Sequence, residues 1–134
     1  MMGNRAIITT PEKEIGVYLH WNGDRSSVEA FVAYCALKGY RSPTCDAAYG
    51  FARLTQVIGN FFGGGLSVGV VGKGDIEAMA ATLDNGIYLL DGWEITGREV
   101  PFENYVDMKC NDLAERLLAI DKRQPEREQM GERL

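Results

Sequence analysis

IYLLDGWEITGR, residues 87–98, carries the strongest short-range signal in this 134-residue chain. Two runs rich in apolar and β-branched residues flank Asp91-Gly92, and Asp-Gly suits the tight turn whose twist matches antiparallel neighbours. Ile87–Leu90 and Trp93–Arg98 therefore read as a hairpin. Toward the N-terminus, Leu66–Val71 (LSVGVV) reads as a further strand. Between it and the hairpin, Gly72–Asn85 has Ile76, Met79 and Ala80 at the spacing of a short helix. Its glycine boundary and the Asp84-Asn85-Gly86 stretch instead suit a mobile loop or flap. At the start of the chain, Arg5–Thr10 (RAIITT) and Ile15–Trp21 (IGVYLHW) are rich in β-branched residues and enclose the polar turn Pro11–Glu14. They read as a first hairpin, with Pro11 outside the ladder because it has no N–H to donate.

Helical periodicity fills the remainder. Val28, Phe31, Val32 and Cys35 fall at i, i+3, i+4 and i+7. Ser26 with Glu29 has capping-box spacing and Gly39 suits a helix end, so a helix is expected over about Ser27–Lys38. Asp46 can cap a second helix, whose wide stripe (Ala48, Phe51, Ala52, Thr55, Ile58 and Phe62) implies burial on much of its circumference. Gly63-Gly64-Gly65 ends it. Asn111 can cap a last helix with Leu113, Leu117 and Ile120 on one face, stopped by Pro125. The tail after Asp121 is largely charged and is expected to be frayed or solvated. The order β-β-α-α-β-β-β-α lacks a βαβ rhythm. It predicts an α+β fold: an antiparallel sheet of about five strands with two to three helices packed on one face. The length fits one ligand-binding domain over residues 1–124, followed by a charged tail at 125–134.

Composition narrows the function. A net charge of −5 opposes unspecific binding to DNA, which needs clustered Lys and Arg. No segment approaches the roughly 18 apolar residues of a membrane span. Met1–Thr10 has no apolar run behind a charged segment, so no secretion signal is expected, and the chain reads as cytoplasmic. Cys35, Cys45 and Cys110 are odd in number and show no CxxC spacing, which fits idle thiols in a reducing compartment. With one histidine, His20, and no close Cys or His pair, no metal site is expected, and no cofactor.

Four kinds of chemistry merit weighing. A nucleophile needs a base, and His20 has no local motif joining it to any cysteine, so it reads as a structural or ligand-bonding histidine. GVVGKG, residues 69–74, has the wrong glycine spacing for a P-loop, and Asp75 stands where Ser or Thr should follow lysine, which leaves a hinge or a direct phosphate contact. Asp84, Asp91 and Glu94 near turns read as solvated or capping carboxylates. The fourth group fits a nucleotide-sized pocket without a nucleophile. Trp21, Asn22, Arg25, Tyr49, Arg53, Asn60, Asp84, Asn85 and Arg98 lie at the ends or polar faces of elements. Aromatic rings stack on bases, asparagine reads their edges, and arginine pairs with phosphate in two-armed fashion. No catalytic residue is assigned.

Several strings also resemble a known family. They are GNRAIITT (residues 3–10), GVYLHWNG (16–23), YGFARL (49–54), QVIGNFFGG (56–64) and DNGIY (84–88). Together they resemble the anti-Thoeris sponge family of phage and prophage proteins over most of residues 3–121. The resemblance implies a non-enzymatic protein that sequesters a cyclic ADP-ribose isomer made by TIR-domain proteins. It also implies dimers that assemble into hexamers, and binding of cyclic oligonucleotides at separate sites in some members. Asn85 carries over as a ligand contact and the segment before it as a lid. The chain departs from the pattern in that segment, where Ile76, Met79 and Leu83 stand in place of an aromatic. The expected ligand-binding set is Trp21, Asn22, Arg25, Arg53, Asn60, Asp84, Asn85 and Arg98. The competing expectation is a protein–protein inhibitor of a bacterial defence factor.

Overall fold

A computed structural model describes residues 4–101 and 107–134. Residue 3, where the first of the resembling strings begins, lies outside them. Five strands form one sheet: β1 (Ala6–Thr9), β2 (Ile15–Leu19), β3 (Val68–Gly72), β4 (Ile87–Asp91) and β5 (Glu94–Glu99). Their order is β3-β2-β1-β4-β5. Every neighbouring pair is antiparallel except β1 and β4, which run parallel with Ile7 opposite Ile87. The α+β architecture and the five-stranded, mostly antiparallel sheet of the sequence reading hold.

The central position of β1 explains its composition. All four of its residues are buried, with no apolar–polar alternation, because both faces of the sheet are covered there. On one face Ala6, Ile8, Val17, Leu19, Tyr88 and Leu90 pack against three helices: α1 (Arg25–Leu37), α2 (Ala47–Phe62) and α4 (Leu113–Arg123). On the other, Ile7 and Ile87 meet Ile76 and Leu83. These two come from α3 (Lys73–Met79) and the residue just past the 3-10 turn Ala80–Thr82. The segment expected as a loop or flap is thus helical. Burial of Ile76 and Leu83 pins it under the sheet, and their apolar side chains supply the reason.

Local boundaries differ from the sequence reading in instructive ways. α1 begins two residues early because Asp24, not Ser26, is its cap, accepting from the Ser27 N–H at 3.2 Å. Glu29, the other half of the expected capping box, turns instead to the Arg25 guanidinium at 3.2 Å. Asp46 caps α2 as expected, through the Tyr49 N–H. Asp112, not Asn111, occupies the cap position of α4. β3 starts at Val68, leaving Leu66 fully exposed.

The C-terminal residues are not frayed. Tyr34 donates its hydroxyl to Asp121 at 2.5 Å, and the backbone N–H groups of Met130 and Gly131 donate to the same carboxylate at 2.7 and 3.0 Å. Met130 and Leu134 then rest on the core. Burial disfavours charge on Asp121, but these three donors outweigh it and hold the carboxyl below its usual range. Because the folded pKa lies below the unfolded one, this stabilisation is complete above the ordinary carboxylate pKa of about 4 and is lost as pH falls through the folded value. Asp121→Asn should therefore cost about 2 kcal/mol at pH 7, and the gap between it and wild type should narrow toward pH 3. Urea unfolding at the two pH values checks this, and a pH-independent gap would contradict it.

Candidate functional site

The strand register brings one end of every strand together. Ala6 stands opposite Leu19, Leu19 opposite Val68, Ile7 opposite Ile87, and Ile87 opposite Glu99. The residues just beyond these positions meet at a single polar edge: Asn4 and Arg5 before β1, His20 to Asn22 after β2, Asp84 and Asn85 before β4, and Arg98 near the end of β5. The first turn of α1 adds Arg25.

Arg98 is the hinge of this edge. Its Nε donates to the Asn85 carbonyl at 3.0 Å and its Nη2 to the Asn85 Oδ1 at 3.4 Å. Its guanidinium lies 4.8 Å above the buried Tyr88 ring, a cation–π contact. Its Nη1 donates to Asp107 Oδ1 at 2.9 Å, while Arg25 Nη1 donates to Asp107 Oδ2 at 2.6 Å. Two guanidiniums from different elements thus clasp one carboxylate. The Arg25 and Arg98 side chains are only 11% and 8% exposed, so this clasp works in a partly desolvated setting where charge pairing is stronger than in water.

Asn85 is fixed from several directions. Its backbone N–H donates to the Arg5 carbonyl at 2.9 Å, and its side-chain amide donates to Asn4 Oδ1. Asn4 in turn donates to Asp24 Oδ1 at 3.2 Å. Asp84 receives Arg5 through both its Nε (3.1 Å) and its backbone N–H (3.2 Å). The Arg5 hydrogen bonds hold the Asp84 carboxyl below its ordinary range. Asp84 therefore reads as the brace of the turn, with its charge already committed.

Six of the eight residues expected from sequence converge here, and two do not. Trp21 closes the rim, edge-on to His20 with ring centroids 4.9 Å apart, and Asn22 donates to Ser27 Oγ at 3.4 Å. Arg53, by contrast, lies over the Tyr49 ring at 5.2 Å, with Arg41 over the same ring at 4.4 Å. Asn60 donates to Gln124 at 2.9 Å and ties α2 to the end of α4. Both were placed by position at an element's polar face, which says nothing of which end of the sheet that face serves. The sequence reading missed Asn4, Asp24, Tyr88 and Asp107. Only Asn4 carried a signal, standing just before the strand expected from Arg5.

The groups that could serve nucleophilic chemistry are buried or held by other partners. Cys35 is buried, and burial pushes its thiol far above its ordinary pKa. Cys110 donates its thiol to Asp112 at 3.2 Å. His20 Nδ1 is hydrogen-bonded to the Tyr18 hydroxyl at 3.0 Å. A cleft of about 530 Å³ opens at the opposite end of the sheet, lined by Glu12, Glu14 and Asp91 among others. Its carboxylates repel an anion, so size does not make it the site for one. Smaller hollows flank the polar edge: about 390 Å³ beside Ile87, Glu99 and Val100, about 190 Å³ beside Arg25 and Lys109, and about 140 Å³ beside Asn22 and Arg116. Among the described residues no three His, Cys, Asp or Glu side chains converge to hold a metal, and no helix is long and apolar enough to cross a membrane. Comparison with protein-family models, curated proteins and solved structures found no match.

Proposed function

We propose that this polar edge binds a cyclic ADP-ribose-type signal made by TIR proteins and holds it without degrading it, so that the chain acts as a phage or prophage anti-defence sponge in the host cytoplasm. The observation that carries the reading is the double-arginine clasp. Arg25 and Arg98 grip the two oxygens of the Asp107 carboxylate as they would grip two oxygens of a phosphate. Asn85 and Asn4 offer amide groups beside it for base or ribose edges, and Trp21 offers a ring face. The resemblance to the anti-Thoeris sponge family supplies the ligand class, and by the same resemblance some cyclic oligonucleotides are further candidates and the working form is a homo-oligomer. A sponge needs affinity and slow release, not transition-state stabilisation, which suits an edge rich in clamps and poor in activated nucleophiles.

The two hollows that reach Arg25 and Asn22 are smaller than the roughly 300 Å³ that a small-molecule pocket usually offers. In this reading the ligand's phosphate takes the seat of Asp107, and the seat widens when that side chain leaves.

A capture-and-release assay tests the proposal. The protein is mixed with a cyclic ADP-ribose isomer from an activated TIR protein and filtered, and free ligand is measured before and after heating the protein fraction. Depletion followed by recovery of intact ligand is expected. An altered product would show an enzyme instead. No depletion of this ligand or of cyclic oligonucleotides would favour the protein–protein inhibitor. In the same assay Asn85→Ala should weaken capture about tenfold through its lost side-chain hydrogen bonds while keeping a folded circular dichroism spectrum. Unchanged capture would remove Asn85 from the site.

A further inference from the structure

The cleft of about 530 Å³ at the end of the sheet away from the polar edge has the size of an ordinary small-molecule pocket. Three connections wall it. Pro11 and Ile15 come from the β1–β2 turn and the start of β2, Pro43 and Ala47 from the loop before α2 and its first residue, and Leu90 from β4. These residues give the cleft an apolar lining. Two of the walls are tied together, since the Gly92 N–H in the β4–β5 turn donates to Thr44 Oγ1 at 2.9 Å. The third is braced within itself. The Lys13 N–H donates to the Thr10 carbonyl at 2.9 Å, and the Thr9 hydroxyl donates to the Ile15 carbonyl at 2.6 Å. The cleft is thus formed before any ligand arrives.

Its charge is one-sided. Glu12, Glu14 and Asp91 line it, and no Lys, Arg or His does. Lys13 stands between the two glutamates in sequence, yet its ammonium goes to Glu99 at 2.6 Å. Among the described residues none of the three carboxylates forms an ion pair. The N-terminus of α2 reaches the cleft at Ala47, but Asp46 caps it, and its partial charge of about half a unit is small beside three carboxylates. These carboxylates repel one another, and a bound cation relieves that repulsion. A hard metal ion does not suit the site, because it needs several oxygens converging on one point. No three His, Cys, Asp or Glu side chains among the described residues converge in that way. Separated carboxylates along an apolar lining match an organic cation whose charges are themselves separated by hydrocarbon.

We propose that this cleft binds a linear polyamine, whose ammonium groups reach Glu12, Glu14 and Asp91 while its methylene runs lie on the apolar lining. The ammonium groups gain charge-assisted hydrogen bonds to the carboxylates. The methylenes leave water for Ile15, Leu90 and the two prolines. Thr10, Thr44 and Thr96 supply further acceptor oxygens between the carboxylates. The inference stands apart from the ligand reading, since none of these residues belongs to the polar edge.

Titration calorimetry with spermidine, a triamine, tests it at about 0.15 M salt, where diffuse attraction to an acidic protein is screened. One saturable site per chain is expected. Glu14→Gln combined with Asp91→Asn takes a carboxylate from each of two walls and should weaken binding about tenfold. Glu126→Gln combined with Glu132→Gln removes the same charge from exposed C-terminal positions and should change binding by less than about twofold. Equal weakening by the two pairs would reduce the effect to net charge and overturn the site, as would the absence of saturable binding. Displacement of spermidine by equimolar magnesium would make the ligand a point cation and refute the polyamine. If the cleft variant does not fold, the amide spectrum of wild type decides. Spermidine should shift the Ile15, Thr44 and Gly92 amides and leave Asn85 and Arg98 unmoved, and the opposite pattern would refute the proposal.

Discussion

Gly86→Ala should destabilise the protein by about 4 kcal/mol or more, and it should weaken the polar edge at the same time. Gly86 has φ +77°, where a side chain costs about 1 kcal/mol by itself. The larger effect is steric. A Cβ at this position would lie 2.0 Å from the Glu99 carbonyl oxygen and 3.0 Å from the Val100 Cα, both backbone atoms. Neither can turn aside as a side-chain tip would, so the end of β5 must move. That movement draws Arg98 off Asn85 and Tyr88, and it disturbs the bond by which the Gly86 carbonyl receives the Ile7 N–H at 3.1 Å. Gly92→Ala is the matched control. It has a similar φ of +63° but nothing within 4 Å of the added carbon, and it should cost only about 1 kcal/mol. Urea unfolding of both variants separates the two contributions. Equal losses would show that backbone conformation, and not the approach of β5, governs Gly86.

Arg98→Ala and Asp107→Asn should move ligand affinity in opposite directions. Removing Arg98 takes one arm from the clasp and should weaken binding by on the order of a hundredfold, which is near the low end for truncating a desolvated charge contact. Arg98→Lys should recover only part of this, because lysine restores charge without the planar fork. Asp107→Asn removes the carboxylate that occupies the seat, and should tighten binding about tenfold by raising the fraction of molecules ready for ligand. Titration calorimetry with a cyclic ADP-ribose isomer measures all three. The loss in Arg98→Ala should shrink at high salt, and a salt-independent loss would assign Arg98 to packing through Tyr88 instead. Weaker binding in Asp107→Asn would make Asp107 a ligand contact and not a competitor.

Legibility in the sequence followed the range of the interactions. Both hairpins announced themselves through Pro11 and Asp91-Gly92, and the helices through their apolar stripes, because turns and periodicity are local. The parallel join of β1 to β4 was not legible, since no single-crossover βαβ unit makes it. β2, two helices, β3 and α3 intervene instead. Without that join the polar edge cannot be assembled on paper. Asn4 and Asn85 are neighbours only because Ile7 pairs with Ile87. Asp107 was invisible for a related reason, its role arising from a pairing with Arg98 nine residues before it and with Arg25, which is 82 residues away. The residues after Asp121 were misread because a charged tail looks solvated, whereas the Met130 and Gly131 amides join Tyr34, on α1, on the buried Asp121 carboxylate. Arg53 and Asn60 show the converse error, since suitable chemistry at an element's polar face does not say where that face leads.

The parallel pairing of β1 with β4 also governs how the chain acquires its shape. Ile7 and Ile87 are eighty residues apart along the chain. As the polypeptide leaves the ribosome, β1 can gain β2 almost at once, yet its other side stays bare until more than half the protein has emerged. Contacts of such wide separation are entropically costly to close and slow the search for the native state. An Ala-Ile-Ile-Thr strand left unpaired on one side is an open edge that invites misassembly. The arrival of β4 closes that open side, and the polar edge comes into being in the same step.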